Sequence, residues 1–187
     1  GRRVLITGHT GFKGSWLTLW LLQLGAEVTG LALTPDPVHP TCQPLFDALN
    51  LGSQLGSRHH VGDIRDSTAV ASAVTNSQPD LVLHLAAQPL VRRSYSDPLG
   101  TWDTNVQGSL HVLEALRPIQ HTCAVVMVTT DKVYGNQEWD YGYREDDRLG
   151  GHDPYSASKA AAELAVSSWR ASFCGSASYL SLIHISE

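Results

Sequence analysis

A tyrosine and a lysine four residues apart could act together as a base in the last third of the chain. Tyr155 and Lys159 open a helical pattern that runs through Ala160 to Trp169, so both side chains share one helical face. A free tyrosine has a pKa near ~10, which must fall by roughly 3 for the group to act as a base near neutrality. The Lys159 ammonium is expected to supply much of this change. The spacing alone is equally compatible with an ordinary surface helix.

Three polar residues follow a strand-like run at Val125 to Thr129. Thr130, Asp131 and Lys132 come directly after it, where the carboxyl end of a parallel strand directs side chains into a ligand crevice. Thr130 offers a hydroxyl to a substrate, Asp131 a carboxyl for proton transfer, and Lys132 a second titratable group. The alternative is a strand-end turn in which Asp131 caps residues 135–136.

A glycine-rich turn, TGHTGFKG at residues 7–14, comes directly after the first strand-like run. A tight strand-to-helix turn needs positive φ at a glycine, and a bare backbone lets a pyrophosphate approach the amide hydrogens at the positive end of the helix dipole. A helix is predicted to start at Gly14. The turn therefore predicts a dinucleotide site. Its candidate cofactor contacts are Gly8, Thr10, Gly11, Phe12 and Gly14.

The acidic residue that usually binds the adenosine ribose is missing after the second strand. That strand ends at Thr34, and the nearest carboxylate is Asp36. With no arginine in this stretch to take a 2′-phosphate, NAD is favoured over NADP. Asp63, with Ile64 beside it, is placed to bind the adenine edge. Asp63 could equally cap a helix before Asp66.

Alternating strands and helices must position these residues. Five apolar runs indicate strands at Val4–Ile6, Val28–Leu33, His59–Val61, Leu81–Leu85 and Val125–Thr129. Between them, helical stripes at i, i+3, i+4 and i+7 or similar spacing are expected to cover the sheet. The first stripe is Leu17, Trp20, Leu21 and Leu24, ended by Gly25, and a later one is Val106, Leu110 and Leu113. This alternation predicts an α/β fold with a Rossmann-like, doubly wound parallel sheet.

Three further segments carry a family resemblance: HLAAQ at residues 84–88, TDKVYGN at 130–136 and LGGHDPY at 149–155. With the glycine turn, they resemble the extended short-chain dehydrogenase/reductases, and within them the sugar-nucleotide dehydratases of the CDP-glucose branch. The likeness runs from about Gly1 to Tyr179. Related epimerases have small residues at the position of Asp131, and TDP-glucose dehydratases have glutamate at that of Lys132.

The resemblance implies a bound NAD and a nucleotide-sugar substrate, with CDP-glucose favoured. The implied reaction oxidises the sugar at C4, eliminates water across C5 and C6, and reduces C6, so that no net redox occurs. The implied product is the 4-keto-6-deoxy sugar. The resemblance adds the following cofactor contacts to those of the turn: Asp63, Ile64, Leu85, Ala86, Ala87, Gln88, Tyr155 and Lys159.

The resemblance also gives each catalytic candidate a role. Tyr155 takes the proton of the C4 hydroxyl, Thr130 holds that oxygen, and Lys159 stabilises the tyrosinate and the cofactor ribose. Asp131 protonates the C6 hydroxyl as it leaves as water. Lys132 sits where relatives place the C5 base, a role that needs a lowered pKa, and it could instead stabilise the enolate.

Two other functions stay open from the sequence. One is another extended short-chain dehydrogenase/reductase, either a TDP- or GDP-sugar dehydratase or a sugar-nucleotide epimerase. The other is an NAD-binding module without catalysis. Residues 1–179 are interpreted as a Rossmann domain, incomplete at its C-terminal end and truncated before the substrate-binding domain. The sheet is expected to stop after its fifth strand and helix, and residues 180–187 are interpreted as a non-native tail.

The composition of the chain limits which partners, metals and cellular locations are expected for the protein. The 187 residues are 42% hydrophobic and 17% charged, as in an ordinary soluble globule, and the net charge of −5 argues against a nucleic-acid partner. Three scattered cysteines favour reduced thiols over disulfides, and neither they nor the nine histidines have metal-ligand spacing, so no metal is predicted. No apolar stretch approaches a membrane span and no leader is evident. The expected location is the cytoplasm. The full-length protein is expected to form a homo-oligomer.

Overall fold

Six parallel strands form one sheet in a computed structural model that describes residues 1–35, 43–175 and 179–185. Their order across the sheet is β3-β2-β1-β4-β5-β6. The strands are β1 (Arg3–Thr7), β2 (Glu27–Ala32), β3 (His59–Val61), β4 (Leu81–His84), β5 (Cys123–Val128) and β6 (Leu180–Ile185). Strand order therefore reverses between β1 and β4, which is where doubly wound sheets open a ligand crevice.

Eight α-helices connect these strands within the described residues. They are α1 (Phe12–Gln23), α2 (Leu45–Ala48), α3 (Leu51–Leu55), α4 (Ser67–Ser77), α5 (Val91–Ser96), α6 (Pro98–Trp102), α7 (Gly108–Leu116) and α8 (Pro154–Phe173). Short 3₁₀ turns at Gly56–Arg58 and Asp131–Val133 and a π turn at Asp103–Gln107 join them. None of the described helices combines the length and apolar character needed to cross a membrane.

The central strand β1 is apolar on both faces because helices cover both sides of the sheet there. Leu5 points into a core under α4 and α7, while Val4 and Ile6 point into a second core under α1 and α3. All three side chains are buried. Burying these side chains stabilises the strand in the sheet by about 25 cal/mol for each Å² of apolar area removed from water.

The predicted architecture is confirmed, with one correction at the edge of the sheet. The five expected strands are present, but the expectation that the sheet stops at β5 is wrong. Residues 180–185 add a parallel sixth strand, in which Leu180 pairs with Cys123 and Leu182 with Val125. An alternating apolar segment satisfies the otherwise unpaired edge of β5, whatever the origin of that segment. That residues 180–187 are non-native stays a prediction.

The helix α1 begins two residues earlier than predicted, and only part of its predicted stripe packs on the core: Leu17 and Leu21 lie against the second core. Its N-terminal half approaches the sheet so closely that only small side chains fit, and Ser15 and Thr18 are fully buried there. Trp20 and Leu24, predicted to cover the sheet, are instead 61% and 68% exposed. The predicted end of the helix is confirmed, because Gly25 has a φ of 77°.

The stripe predicted for the later helix is also displaced. The π turn Asp103–Gln107 inserts an extra residue into the helical repeat just before α7. As a result Asn105, Ser109 and Val112 are buried, each one position before a predicted stripe residue. Leu113 is the one member of the predicted stripe that is fully buried. The displacement turns two polar side chains toward the interior.

Candidate active site

The glycine turn lies at the carboxyl end of β1 and has the shape of a phosphate cradle. Gly8 has a φ of 79° and donates its amide hydrogen to the carbonyl of Leu31 at 2.9 Å. A β-carbon on Gly14 would lie 2.1 Å from the carbonyl oxygen of Gly8, so the helix could not pack this closely with any side chain there. Gly11 is exposed, and its nearest neighbour to an added β-carbon is 3.4 Å away.

These features fit a pyrophosphate at the start of α1. Gly11 occupies the N-cap position without a side-chain cap, and the positive end of the helix dipole at this point suits an anion. Thr10 donates its hydroxyl to the carbonyl of Leu33 at 2.9 Å and ties the turn to the end of β2. Phe12 is 71% exposed beside the open turn. The turn can therefore hold a dinucleotide through its backbone.

Asp63 is held by Arg65, a contact that was not predicted from the sequence. Its carboxylate accepts hydrogen bonds from the side chain of Arg65, the shorter at 2.6 Å, and this pairing holds the pKa of Asp63 below its usual value. The alternative that Asp63 caps a helix is wrong, because Asp66 caps α4 by accepting from Thr68 and Ala69. Asp36 lies outside the described residues.

Ile64 lies in the interior and contacts helix α7. It is buried, and its side chain fills the space that a β-carbon on Gly108 would need. Its carbonyl oxygen contacts the ring of His111 at 3.0 Å. A role for Ile64 toward a cofactor would therefore have to come from its backbone.

The predicted cofactor loop after β4 is bonded to the end of β1. Leu85 donates its amide hydrogen to the carbonyl of Thr7 at 3.1 Å, and Ala86 donates to the Thr7 hydroxyl at 3.3 Å. Ala87 follows, and Gln88 is buried, with its side-chain amide donating to the hydroxyl of Thr101 at 2.9 Å. The Gln88 side chain therefore shapes the loop from within.

A buried chain of polar side chains, running Thr7–His84–Ser109–Asn105–Ser158, connects β1 to α8. His84 contacts the Thr7 hydroxyl at 2.7 Å and the Ser109 hydroxyl at 3.1 Å. Ser109 donates its own hydrogen to the carbonyl of Asn105, and Asn105 donates to the Ser158 hydroxyl at 2.9 Å. This chain of hydrogen bonds was not predicted from the sequence, although His84 opens one of the family segments.

His84 in this chain is a neutral ring with a defined tautomer. Burial, together with the positive charge of Lys159, lowers its pKa to about 3. Because the Ser109 hydrogen is already used, His84 donates from Nε2 and accepts the Thr7 hydroxyl at Nδ1. The ring therefore connects two elements without adding a charge.

Tyr155 lies in the first turn of α8, which starts sharply. Asp153 caps this helix by accepting the amide hydrogen of Ser156 at 3.0 Å, and Pro154 occupies the first helical position. Tyr155 is half-buried and hydrogen-bonds to Thr130 at the end of β5. The helix cap thus delivers the tyrosine hydroxyl to the strand end that carries Asp131.

The pKa of Tyr155 is raised in this structure, so the expectation that Lys159 lowers it is wrong here. Burial raises the pKa of Tyr155; the hydrogen bond with Thr130 opposes this, and the charges of Asp131 and Asp153 add to it. Lys159 is buried, and burial lowers its pKa to about 8. Its ammonium donates to the carbonyl of Val128 at 2.9 Å.

Thr130, Asp131 and Lys132 follow β5 as predicted, and Thr130 rather than Asp131 caps the turn. The Thr130 oxygen accepts the amide hydrogen of Lys132 at 3.4 Å, and its hydroxyl donates to the Asp131 carboxylate at 3.1 Å. The alternative, in which Asp131 caps residues 135–136, is wrong for Gly135. The amide hydrogen of Gly135 is donated to the carbonyl of Arg148. Asp131 and Lys132 are exposed at the carboxyl edge.

A glycine turn and a tyrosine–lysine helix that meet at one edge of a doubly wound sheet are the arrangement of the extended short-chain dehydrogenase/reductases. The resemblance inferred from the sequence is confirmed by the family model and the similar proteins. More particularly, the chain belongs to the GDP-mannose 4,6 dehydratase family, whose family model matches residues 5–183.

Known proteins of several related activities are similar to this chain. A CDP-glucose 4,6-dehydratase from Salmonella typhimurium is 49% identical over 96% of the chain and 48% of the relative. A CDP-paratose 2-epimerase from Salmonella typhi is 33% identical over 86% of the chain and 51% of the relative. The crystal structure of a UDP-glucose 4-epimerase from Thermus thermophilus in complex with NAD superposes with a TM-score of 0.78 at 30% identity, covering 98% of this chain and 54% of that one. The chain spans about half the length of these proteins.

Proposed function

We propose that this chain is the cofactor-binding half of an NAD-dependent sugar-nucleotide 4,6-dehydratase, a lyase that converts CDP-glucose to CDP-4-keto-6-deoxyglucose. The observation that carries the proposal is the position of Thr130, which hydrogen-bonds to both Tyr155 and the carboxylate of Asp131. A group for proton removal and a group for proton delivery therefore lie on either side of one hydroxyl. Similarity to the CDP-glucose 4,6-dehydratase favours CDP-glucose over other sugar nucleotides.

Bound NAD would supply the reversible oxidation of the sugar carbon that precedes loss of water. The exposed backbone of Gly11 and the first turn of α1 would hold its pyrophosphate. The loop at residues 85–88 would form one wall of the crevice, since β1 and β4 are where strand order reverses. Asp63, kept ionised by Arg65, would bind the adenosine end.

In this proposal each residue of the site handles a proton or a charge. Tyr155 removes the proton of the C4 hydroxyl, and Thr130 holds the same oxygen. Lys159 keeps a positive charge beneath the tyrosine, from its bond to Val128. Asp131 is exposed at the edge, where it can protonate the C6 hydroxyl as that group leaves as water.

Lys132 is assigned to charge stabilisation in place of proton abstraction. A lysine acts as a base when burial or a neighbouring cation lowers its pKa. The side chain of Lys132 is exposed to solvent. Because Lys132 adjoins Asp131 in the same turn, its ammonium can stabilise the enolate that forms when a water molecule at this exposed edge takes the C5 proton. A proton returns to C5 as C6 is reduced.

The test is an assay of the full-length protein with CDP-glucose and, separately, with TDP-glucose, GDP-mannose and UDP-glucose. We expect the 4-keto-6-deoxy product from CDP-glucose at a rate at least ~10-fold above the others, as a base-specific contact would give. An epimerised sugar without loss of water would contradict the dehydratase assignment. Cytoplasmic location and a homo-oligomeric state stay predictions, to be checked by fractionation and by light scattering.

A further inference from the structure

Glu163 is a buried carboxylate to which the proposed mechanism gives no role. It lies on α8 one helical turn beyond Lys159, and each of the two residues is 6% exposed. Carboxylates and ammonium groups are seldom buried this deeply unless a partner compensates the loss of hydration. Two such residues on one face of the helix that carries Tyr155 therefore call for a common explanation.

Both side chains contact the end of β5, at adjacent residues. The Lys159 ammonium donates to the carbonyl of Val128 at 2.9 Å, and the hydroxyl of Thr129 donates to the Glu163 carboxylate. The next residue along the chain is Thr130, which bonds to Tyr155. These contacts set the register between α8 and the strand end.

We infer that Glu163 is a positioning residue: its carboxylate keeps the buried Lys159 ammonium charged beneath Tyr155, and its bond to Thr129 holds α8 in register on β5. The importance of this charge for catalysis rests on the function proposed above. The contacts themselves do not depend on it.

The charges around Lys159 support this role. Burial lowers the pKa of Lys159 to about 8, and the charge of Glu163 acts in the opposite direction. From β4, the facing group is His84, which is neutral and offers no compensation. On its own helix the neighbour is Tyr155, on which Asp131 and Asp153 act. Removing the Glu163 charge would therefore leave Lys159 closer to losing its proton at neutral pH.

The experiment measures the pKa of Lys159 directly, in the cofactor-free protein labelled with ¹³C at the lysine Cε. This chain contains three lysines, and the resonance of Lys159 is identified by its absence in Lys159→Met. Glu163→Gln is expected to lower the pKa of Lys159 by about 1, since an opposite charge nearby is lost. Glu114→Gln removes the same charge from the exposed ion pair with Arg117 on α7 and is expected to leave it unchanged.

Thr129→Val separates the charge of Glu163 from its hydrogen bond. It removes the hydroxyl donor but keeps the carboxylate, so the pKa of Lys159 should fall less than in Glu163→Gln. An unchanged pKa in Glu163→Gln, or an equal fall in Thr129→Val, would overturn the inference. If Glu163→Gln fails to fold, Glu163→Asp serves instead, because its shorter side chain should give an intermediate fall, and no fall would count against the inference.

The same variants link the residue to catalysis. The alkaline limb of the rate of sugar oxidation should move to lower pH in Glu163→Gln, since the ammonium is lost earlier, and return part of the way in Glu163→Asp. A uniform loss of rate with an unmoved limb would indicate a purely structural role and contradict the inference. The lysine titration needs neither substrate nor NAD, so its outcome is distinguishable from a failure of the proposed function.

Discussion

The carbonyl oxygen of Gly8 lies 2.1 Å from the place where a β-carbon on Gly14 would stand. The corresponding distance for Gly11 is 3.4 Å, an ordinary contact. The two glycines therefore serve different purposes. Gly14 allows the helix to pack on the strand, whereas Gly11 leaves a surface open to a ligand.

We expect Gly11→Val to abolish NAD binding while the protein remains folded, because its side chain would occupy the approach of the pyrophosphate. Gly14→Ala should instead destabilise the fold by about 3 kcal/mol, since its methyl group meets backbone. Titration calorimetry and urea denaturation of both variants separate the two effects. Unchanged NAD affinity in Gly11→Val would show that the turn does not hold the phosphates.

Tyr155 and Asp131 should separate kinetically, since they act on different protons. Tyr155→Phe is expected to stop the first oxidation, so that no NADH absorbance appears. Asp131→Asn should slow loss of water and leave the oxidation measurable, so that NADH absorbance accumulates during a single turnover. Stopped-flow absorbance in the full-length protein is the measurement. Equal loss of reduction in both variants would contradict this division of roles.

His84 should make the protein less stable in mild acid. Its folded-state pKa of about 3 is far below the unfolded value of about 6.5, so the unfolded state binds a proton that the folded state does not. The free energy of unfolding should therefore fall by up to about 1.4 kcal/mol per pH unit as pH drops below 6.5.

The check is urea denaturation at pH 7 and pH 5 in His84→Gln. This variant should lose part of the pH dependence, whatever its stability at pH 7. His152→Gln, at an exposed position, is the control. His9, whose pKa burial lowers to about 4, should retain a similar dependence in both variants. An identical slope in His84→Gln and the unchanged protein would show that His84 is not the source.

Neighbouring residues of β6 should differ sharply in their effect on stability. Leu182 is 4% exposed and belongs to the core under α7, while Ile183 on the opposite face is 48% exposed. Leu182→Ala should cost about 3 kcal/mol, and Ile183→Ala well under half of that. Chemical denaturation measures both. Equal, small effects would show that residues 180–185 do not form part of the folded sheet.

Much of the fold could be predicted from local patterns in the sequence. The apolar runs of β1 to β5 and the glycine turn are short-range signals, and the structure has them where they were expected. The position of Thr130, Asp131 and Lys132 also followed, because any residue after a parallel strand lies at the same edge of the sheet.

Features that depend on tertiary contacts did not follow from those patterns. The π turn at Asp103–Gln107 rotates the buried face by one residue, which no helical periodicity of 3.6 anticipates. The pairing of Asp63 with Arg65 and the burial of Glu163 depend on how helices sit on the sheet. The raised pKa of Tyr155 likewise reflects burial that a sequence separation of four residues does not report.

The buried polar chain from Thr7 to Ser158 has a consequence for engineering the protein. An apolar substitution at Asn105 removes the acceptor of the Gln88 amide hydrogen and the donor to the Gln88 carbonyl, and it removes one of the two hydrogen bonds of the Ser158 hydroxyl. Each orphaned group costs about 1–3 kcal/mol. Libraries that vary these positions one at a time should yield mostly misfolded protein. Productive variants should appear when neighbouring positions of the chain are randomised together, as one block.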